Sequence, residues 1–217
     1  MTNAKKVGVL GSGDVGKVLA AGFHRHGYDV LIGSREGGKL AEWSATSGIA
    51  ERTFAEVVDH ADIVVLAVAG RAAEDAIRLV GAERLGDKIV IDATNPIAAA
   101  PPVNGILQFF TGPNDSLMER LQALAPRARF VKAWSSVGNH FMVNPSLPGG
   151  RPTMFICGND ADAKAQVTAI LDQFGWDAED IGAVEGARAI EPLCQLWCAP
   201  GFLRNQWTHA FKLLKLQ

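Results

Sequence analysis

A doubly wound α/β fold, with a parallel sheet covered by helices on both faces, follows from three features of the sequence. Short Val- and Ile-rich runs alternate with amphipathic segments along most of the chain. A glycine-rich turn joins the first run to the first amphipathic segment. Two Pro-rich stretches, Asn95–Val103 and Asn144–Pro152, fall between elements and not inside them. Apolar runs without strict alternation suit strands buried on both faces, and their alternation with helices implies a parallel sheet.

The strands are expected at Lys6–Leu10, Asp29–Gly33, a weak one at Ile49–Arg52, then Asp62–Val68, Lys88–Asp92, Arg129–Trp134, Thr153–Cys157 and Trp176–Ile181. Helices are expected at Val15–His26, Lys39–Ala45, Phe54–His60, Ala72–Val80, Ser116–Ala125, Ala161–Phe174, Ala183–Trp197 and Leu203–Leu214. After Gly182 two helices follow with no strand between them. Residues 1–182 are therefore expected to form one nucleotide-binding domain, and residues 183–217 a small C-terminal helical cap packed on it.

Composition narrows the class. The 217 residues are 48% hydrophobic, which suits a packed globule and argues against disorder. A formal charge of -2 gives no reason to expect nucleic acid or an anionic membrane surface as partner. The longest apolar run, Ile63 to Gly70, is too short to span a bilayer. Three cysteines cannot all pair with one another, and no signal peptide precedes the first strand, so a reduced cytoplasmic protein is expected.

The stretch VGVLGSGDVG places Gly11, Gly13 and Gly16 as G-x-G-x-x-G between a strand and a helix. There the first glycine permits a tight turn, the second lets backbone approach a pyrophosphate, and the third lets the helix pack on the sheet. The uncapped amides of the helix start would hold the phosphates. The second strand then ends Gly33-Ser34-Arg35, with Lys39 four residues beyond Arg35. An NAD site would carry an acid at this strand end. A hydroxyl and a guanidinium instead suit a 2′-phosphate, so the stretch reads as a selector for NADP(H). Glu36 beside them would relax that selectivity if it reached the ribose.

These motifs, with DIVVLAV, IDATNP and VKAWSSVGNHFMVNP in the same order, resemble the NADPH-dependent coenzyme F420 reductases (F420:NADP oxidoreductases) and their bacterial relatives. The C-terminal GARAIEPLCQLWCAPGFLRNQWTHAFKLL is similar to the end of that family, so the likeness covers nearly the whole chain. The resemblance implies a Rossmann fold, bound NADP(H), and hydride transfer to or from a deazaflavin or flavin-like acceptor, with coenzyme F420 as co-substrate. It implies that Gly11, Ser12, Gly13, Asp14, Val15, Gly16, Ser34, Arg35 and Lys39 hold the adenine half and pyrophosphate. Ala67 and Val68 would border the nicotinamide ribose, and Ala133 and Trp134 the nicotinamide. Ser135, Ser136, Val137 and His140 would lie on the acceptor side. Ser135 stands where the family pattern often has Asn or His. A homodimer acting on a small molecule is expected. The alternatives are reduction of a small carbonyl or imine, and a non-catalytic NADPH sensor.

Hydride transfer between two bound rings needs positioning more than acid or base, and the sequence shows no catalytic triad spacing. A carbonyl or imine acceptor would need a proton donor, and His140 is then the candidate by position; otherwise it is a solvent-facing histidine. No metal is expected. Cys194 and Cys198 share a helix face, as a metal or redox pair or simply as core. Arg188, Glu191 and Trp197 are candidates for lining the acceptor pocket. Trp207 and Phe211 form an i, i+4 stripe on the expected last helix. The segment Thr94 to Gly105 is either a lid or a connection.

Overall fold

The computed structural model of the chain describes residues 5–216. Strands β1 (Lys6–Leu10), β2 (Asp29–Ser34), β3 (Ala50–Thr53), β4 (Ile63–Leu66), β5 (Ile89–Asp92) and β6 (Arg129–Lys132) form one parallel sheet in the order 3-2-1-4-5-6. Two more strands, β7 (Thr153–Ile156) and β8 (Asp177–Asp180), form a parallel pair, and the Lys132 amide donates to the Cys157 carbonyl at 3.0 Å, so this pair abuts the end of β6. Helices α1 (Asp14–Arg25), α2 (Ala41–Ser47), α3 (Phe54–His60), α4 (Ala73–Val80), α5 (Ala82–Leu85), α6 (Leu117–Leu124) and α7 (Ala161–Gln173) lie between strands, and α8 (Ala187–Ile190) and α9 (Pro192–Arg204) follow β8. This is the Rossmann-type doubly wound fold that the pattern predicts.

The strand pleat sorts the core into two layers. Val7 and Val9 of β1 pack with Leu19 and Phe23 of α1 and with Phe174 after α7. Leu10 and the alternate residues of β4 and β5 pack with α3, α4 and α6 through Phe54, Val57, Ile77, Leu117 and Leu121. β1 pairs with β2 on one side and with β4 on the other. The sheet order therefore reverses beside the C-terminal end of β1, where such folds open a ligand crevice.

Most element boundaries fall within a few residues of those the pattern predicts. The last helix does not. Residues 203–214 are not one helix: α9 ends at Arg204, and Asn205 takes a left-handed φ of 53° while its amide caps the Gly201 carbonyl at 2.8 Å. A left-handed residue ends a helix by turning the next amides off its axis. The tail then passes the start of β7 without regular structure, with the Thr153 amide donating to the Phe211 carbonyl at 2.8 Å and the Leu213 amide to the Thr153 hydroxyl at 3.0 Å. Trp207 packs on Gly201 of α9, leaving no room there for a Cβ, and so is no part of a helical stripe with Phe211. The helix read at Ala183–Trp197 is also divided, into a 3-10 turn at Val184–Gly186, α8, and α9 with Pro192 at its first position. Among the described residues no helix is long and apolar enough to cross a membrane.

The turn between β1 and α1 yields a stability test. A Cβ on Gly16 would run into the carbonyl oxygen of Gly11, which is backbone and cannot rotate away. Gly16→Ala should cost about 1–3 kcal/mol by overpacking, read from the urea unfolding midpoint. An unchanged midpoint would show that helix and turn separate freely.

Candidate functional site

A cleft of about 690 Å³ opens at the reversal of the sheet. Its walls come from three strand ends: Gly11, Ser12 and Gly13 after β1; Ser34, Arg35 and Lys39 at and after β2; Ala67 and Val68 after β4. Phe54 and Ala76 add apolar surface from α3 and α4. Gly11 adopts φ +142°, and a Cβ there would strike the Ala67 backbone, so the turn requires glycine for both conformation and space. A Cβ on Gly13 would meet nothing within 4 Å, which leaves open ground before the start of α1. No side chain caps α1, whose first amides face that ground. The residues present thus fit an anionic dinucleotide. Asp14, Val15 and Gly16 support the turn from α1 and do not line the cleft.

The end of β2 carries an arrangement the sequence did not disclose. The Ser34 hydroxyl donates to Glu51 Oε1 of β3 at 2.6 Å and accepts from the Gly37 amide at 3.1 Å. Glu51 also accepts from the amides of Lys39 at 3.1 Å and Leu40 at 2.9 Å. Desolvation pushes its carboxyl up, but these hydrogen bonds outweigh it and hold Glu51 below the usual carboxylate range. Arg35 and Lys39 are exposed, and among the described residues neither forms an ion pair.

The loops after β5 and β6 lie beyond the residues that line this cleft. Trp134 takes a left-handed φ of 58°, a strained conformation for a bulky residue. Its ring is not on the crevice side. It lies in the core, 6.1 Å from Phe23 and 5.6 Å from Phe174 between centroids, so only the backbone of Trp134 is placed to border a ligand. Ala133, Ser135, Ser136 and Val137 are buried around the same turn. The Asn95 amide group donates to the Ser135 carbonyl at 2.7 Å and joins the two loops. Buried and without partners are the Ser135 hydroxyl and Asn95 Oδ1. Buried polar atoms without a partner are uncommon in folded proteins.

Beneath this turn sits a buried ion cluster. Lys132 Nζ lies 2.7 Å from Asp92 Oδ2 and 2.9 Å from Glu191 Oε1, and it donates to the Thr94 carbonyl at 3.0 Å. Burial pulls the Lys132 ammonium down, but Asp92 and Glu191 outweigh it and hold it well above the ordinary lysine range. Glu191 also accepts from the Leu117 and Met118 amides at the start of α6, at 3.0 and 3.1 Å. Glu191 is therefore a buried strut and does not offer its carboxylate to the acceptor.

Other expected residues lie elsewhere. His140 is exposed and lines a separate hollow with Lys17, Arg25 and Trp43. Arg188 pairs with Glu119 of α6 at 2.6 Å. Trp197 packs against Gly138, where a Cβ would come within 2.5 Å of the ring, so α9 braces the loop that follows Ser135 and Ser136. Cys194 is buried and Cys198 partly so on α9. Asn95, Glu51 and Phe54 were not anticipated as site residues. The only signals available were an Asn in the loop after β5 and an acid in a weak strand.

Comparison with known proteins agrees with this geometry. The family model described as NADP oxidoreductase, coenzyme F420-dependent, matches residues 6–96. A crystal structure from Arthrobacter sp. FB24, assigned as an F420-dependent NADP reductase, is 31% identical, covers 98% of this chain and 100% of its own, and superposes with a TM-score of 0.90. Metalloreductase STEAP3 of Rattus norvegicus is 29% identical over 191 residues, covering 88% of this chain and 36% of its own length. Metalloreductase STEAP2 of Homo sapiens is 30% identical over 207 residues, covering 89% and 37%. The chain thus spans little more than a third of the curated relatives it matches.

The ion cluster makes a further prediction. Lys132→Met leaves Asp92 and Glu191 without their cation and should cost about 3–5 kcal/mol of unfolding free energy, measured in urea. The sign with pH follows from the raised lysine value. Its contribution is complete below the unfolded pKa of about 10.4 and fades only as pH climbs through the folded one. The gap between wild type and variant should therefore not close between about pH 7 and about pH 9. A gap that closed would mean the buried lysine sheds its proton there.

Proposed function

Since this chain belongs to the coenzyme F420-dependent NADP oxidoreductases, we propose that it transfers a hydride between NADP(H) and a deazaflavin or flavin-like acceptor across the end of its sheet. The observation that carries the reading is the cleft of about 690 Å³, which joins the glycine turn to a strand end bearing two unpaired cations. In this reading the 2′-phosphate lies against Arg35 and Lys39, and the pyrophosphate over Gly13 and the uncapped start of α1. The nicotinamide lies past Ala67 and Val68, toward the Trp134–Ser136 backbone. The cofactor, when bound, supplies or accepts the hydride.

The residues of the chain orient the rings and exclude water, which is where rate is gained when chemistry belongs to the bound groups. Asn95 Oδ1 and the Ser135 hydroxyl are the unspent polar groups on that side, suited to an amide or a ring carbonyl. His140 lines its own hollow and not the cleft, which weakens the reading of a carbonyl or imine reductase with His140 as proton donor. A cytoplasmic homodimer remains part of this proposal. The exposed Leu196, Phe202 and Leu203, with Val103 and Ile106, form an apolar surface suited to a second copy.

The deciding experiment is oxidation of NADPH, followed at its absorbance band, against F420, FMN, FAD and quinones. Turnover with a carbonyl or imine but none of these would overturn the acceptor class. Arg35→Ala should weaken NADPH by about one to two orders of magnitude and leave NADH nearly unchanged, because NADH has no 2′-phosphate to lose contact with. Arg35→Lys should restore only part, since a point charge lacks the two parallel donors. Parallel weakening of both cofactors would instead give Arg35 a role in the fold or the adenine. Ser136→Leu should lower kcat while sparing the NADPH dissociation constant, because hydride distance tolerates little displacement. Loss of NADPH affinity in that variant would move the loop to the cofactor side.

A further inference from the structure

We propose that Glu51 is the positioning residue for NADP(H) recognition, holding the loop from Ser34 to Leu40 in the shape that aims Arg35 and Lys39 into the cleft. The inference rests on the assignment of that loop to the 2′-phosphate. Glu51 itself does not line the cleft. It stands on β3, where Glu51 is the register partner of Ile32 in β2, and its carboxylate reaches the Ser34 hydroxyl and the amides of Lys39 and Leu40.

Ser34 has one hydroxyl hydrogen, and at 2.6 Å it is given to Glu51. Its oxygen accepts from the Gly37 amide. Ser34 is therefore a strut between strand and loop, and in this arrangement it has no hydrogen left for a phosphate. The loop needs such a strut. Gly37 and Gly38 both sit at left-handed φ, +71° and +74°, and two such glycines in a row give a reversal with little stiffness of its own. One carboxylate fixes both ends of that reversal: Ser34 before it, Lys39 and Leu40 after it.

An acid near an anion site looks self-defeating, since a bare carboxylate would repel the phosphate. Here its oxygens are taken by donors on the loop side, and its charge serves to order the backbone from which the two cations project. For Glu51 to turn outward to a ribose hydroxyl, it would have to release all of them. The pair Glu51 and Ser34 thus occupies the place where an NAD site would keep its ribose-binding acid. The same carboxyl chemistry is turned inward.

The test titrates NADPH and NADH into wild type, Glu51→Ala, Glu51→Gln, Ser34→Ala and the Ser34→Ala, Glu51→Ala double variant, with Arg35→Ala in the same series. Thermal midpoints and near-UV circular dichroism are recorded on the same samples. Glu51→Ala should weaken NADPH by about tenfold and change NADH by no more than about twofold. Glu51→Gln should recover part of the loss, because one amide oxygen can still accept from the loop, and it carries the test if the alanine variant does not fold. Ser34→Ala should add little to Glu51→Ala, since the two side chains share the bond that ties β2 to β3 and belong to one network. Parallel weakening of both cofactors would reduce Glu51 to fold support. Tighter NADPH binding would make it a repulsive group, and an unchanged preference would show that the loop holds its shape alone; each overturns the proposal. If Arg35→Ala leaves the preference intact, the phosphate assignment of the loop fails first. If Arg35→Ala removes the preference and Glu51→Ala does not, only the role of Glu51 fails.

Discussion

The ammonium of Lys132 joins three parts of the chain that share no local sequence. It bonds Asp92 at the end of β5, the Thr94 carbonyl in the loop that follows, and Glu191 between α8 and α9. Burying three charges costs several kcal/mol each before any attraction is counted, so the cluster holds only while its geometry is complete. That requirement transmits order outward. Lys132 is followed directly by Ala133, Trp134 and Ser135, and Asp92 and Thr94 are followed by Asn95, which bonds Ser135. Both loops, after β5 and after β6, are thus set by one interaction, and the C-terminal helices cannot leave without stranding a charge.

The cluster also explains a conformation that looks unfavourable by itself. Trp134 is bulky and left-handed, a combination that costs roughly 1–3 kcal/mol. It is clamped on one side by Lys132 on β6 and on the other by its own ring, which packs against the touching pair Phe23 and Phe174 in the core. The turn that results points Ser135 and Ser136 away from the strand direction while leaving the Ser135 hydroxyl buried without a partner. Strain and an unsatisfied polar atom thus fall within two residues of each other just after β6, the last strand of the sheet.

What could be read from the sequence was whatever is encoded locally. The glycine turn, the buried strands and helices α1 to α4, α6 and α7 each carry their own periodicity or punctuation, and they appear within a few residues of expectation, whereas the single turn of α5 was not anticipated. The tail was not either, because its structure is set from a distance. Trp207 and Phe211 are spaced as a helical stripe, but Thr153 of β7, some 60 residues away, holds the segment through hydrogen bonds with Phe211 and Leu213, and Asn205 releases it from α9. The site shows the same division. Gly11, Gly13, Arg35 and Lys39, which line the cleft, stand in motifs that can be read locally. Lys132 looked like one polar residue in an apolar strand, and nothing in its spacing named Asp92 or Glu191 as partners. Glu51 was hidden in a weak edge strand for the same reason.

The two hidden carboxylates share a physical logic. Helices leave their first amides unpaired, and most are satisfied by a neighbouring side chain, as Thr53 and Glu56 do for α3. Ahead of α2 and at the start of α6 the charge comes from elsewhere: Glu51 of β3 receives the Lys39 and Leu40 amides, and Glu191 receives those of Leu117 and Met118. A local cap fixes only its own helix. A remote one also fixes the distance between the helix and the element that sends the carboxylate. At one end of the crevice that ties the cation-bearing loop to β3, and at the other it ties α6 to the C-terminal helices above Lys132. Both carboxylates are spent on backbone amides and stay out of the lining of the cleft, where the exposed charges are Arg35, Glu36 and Lys39.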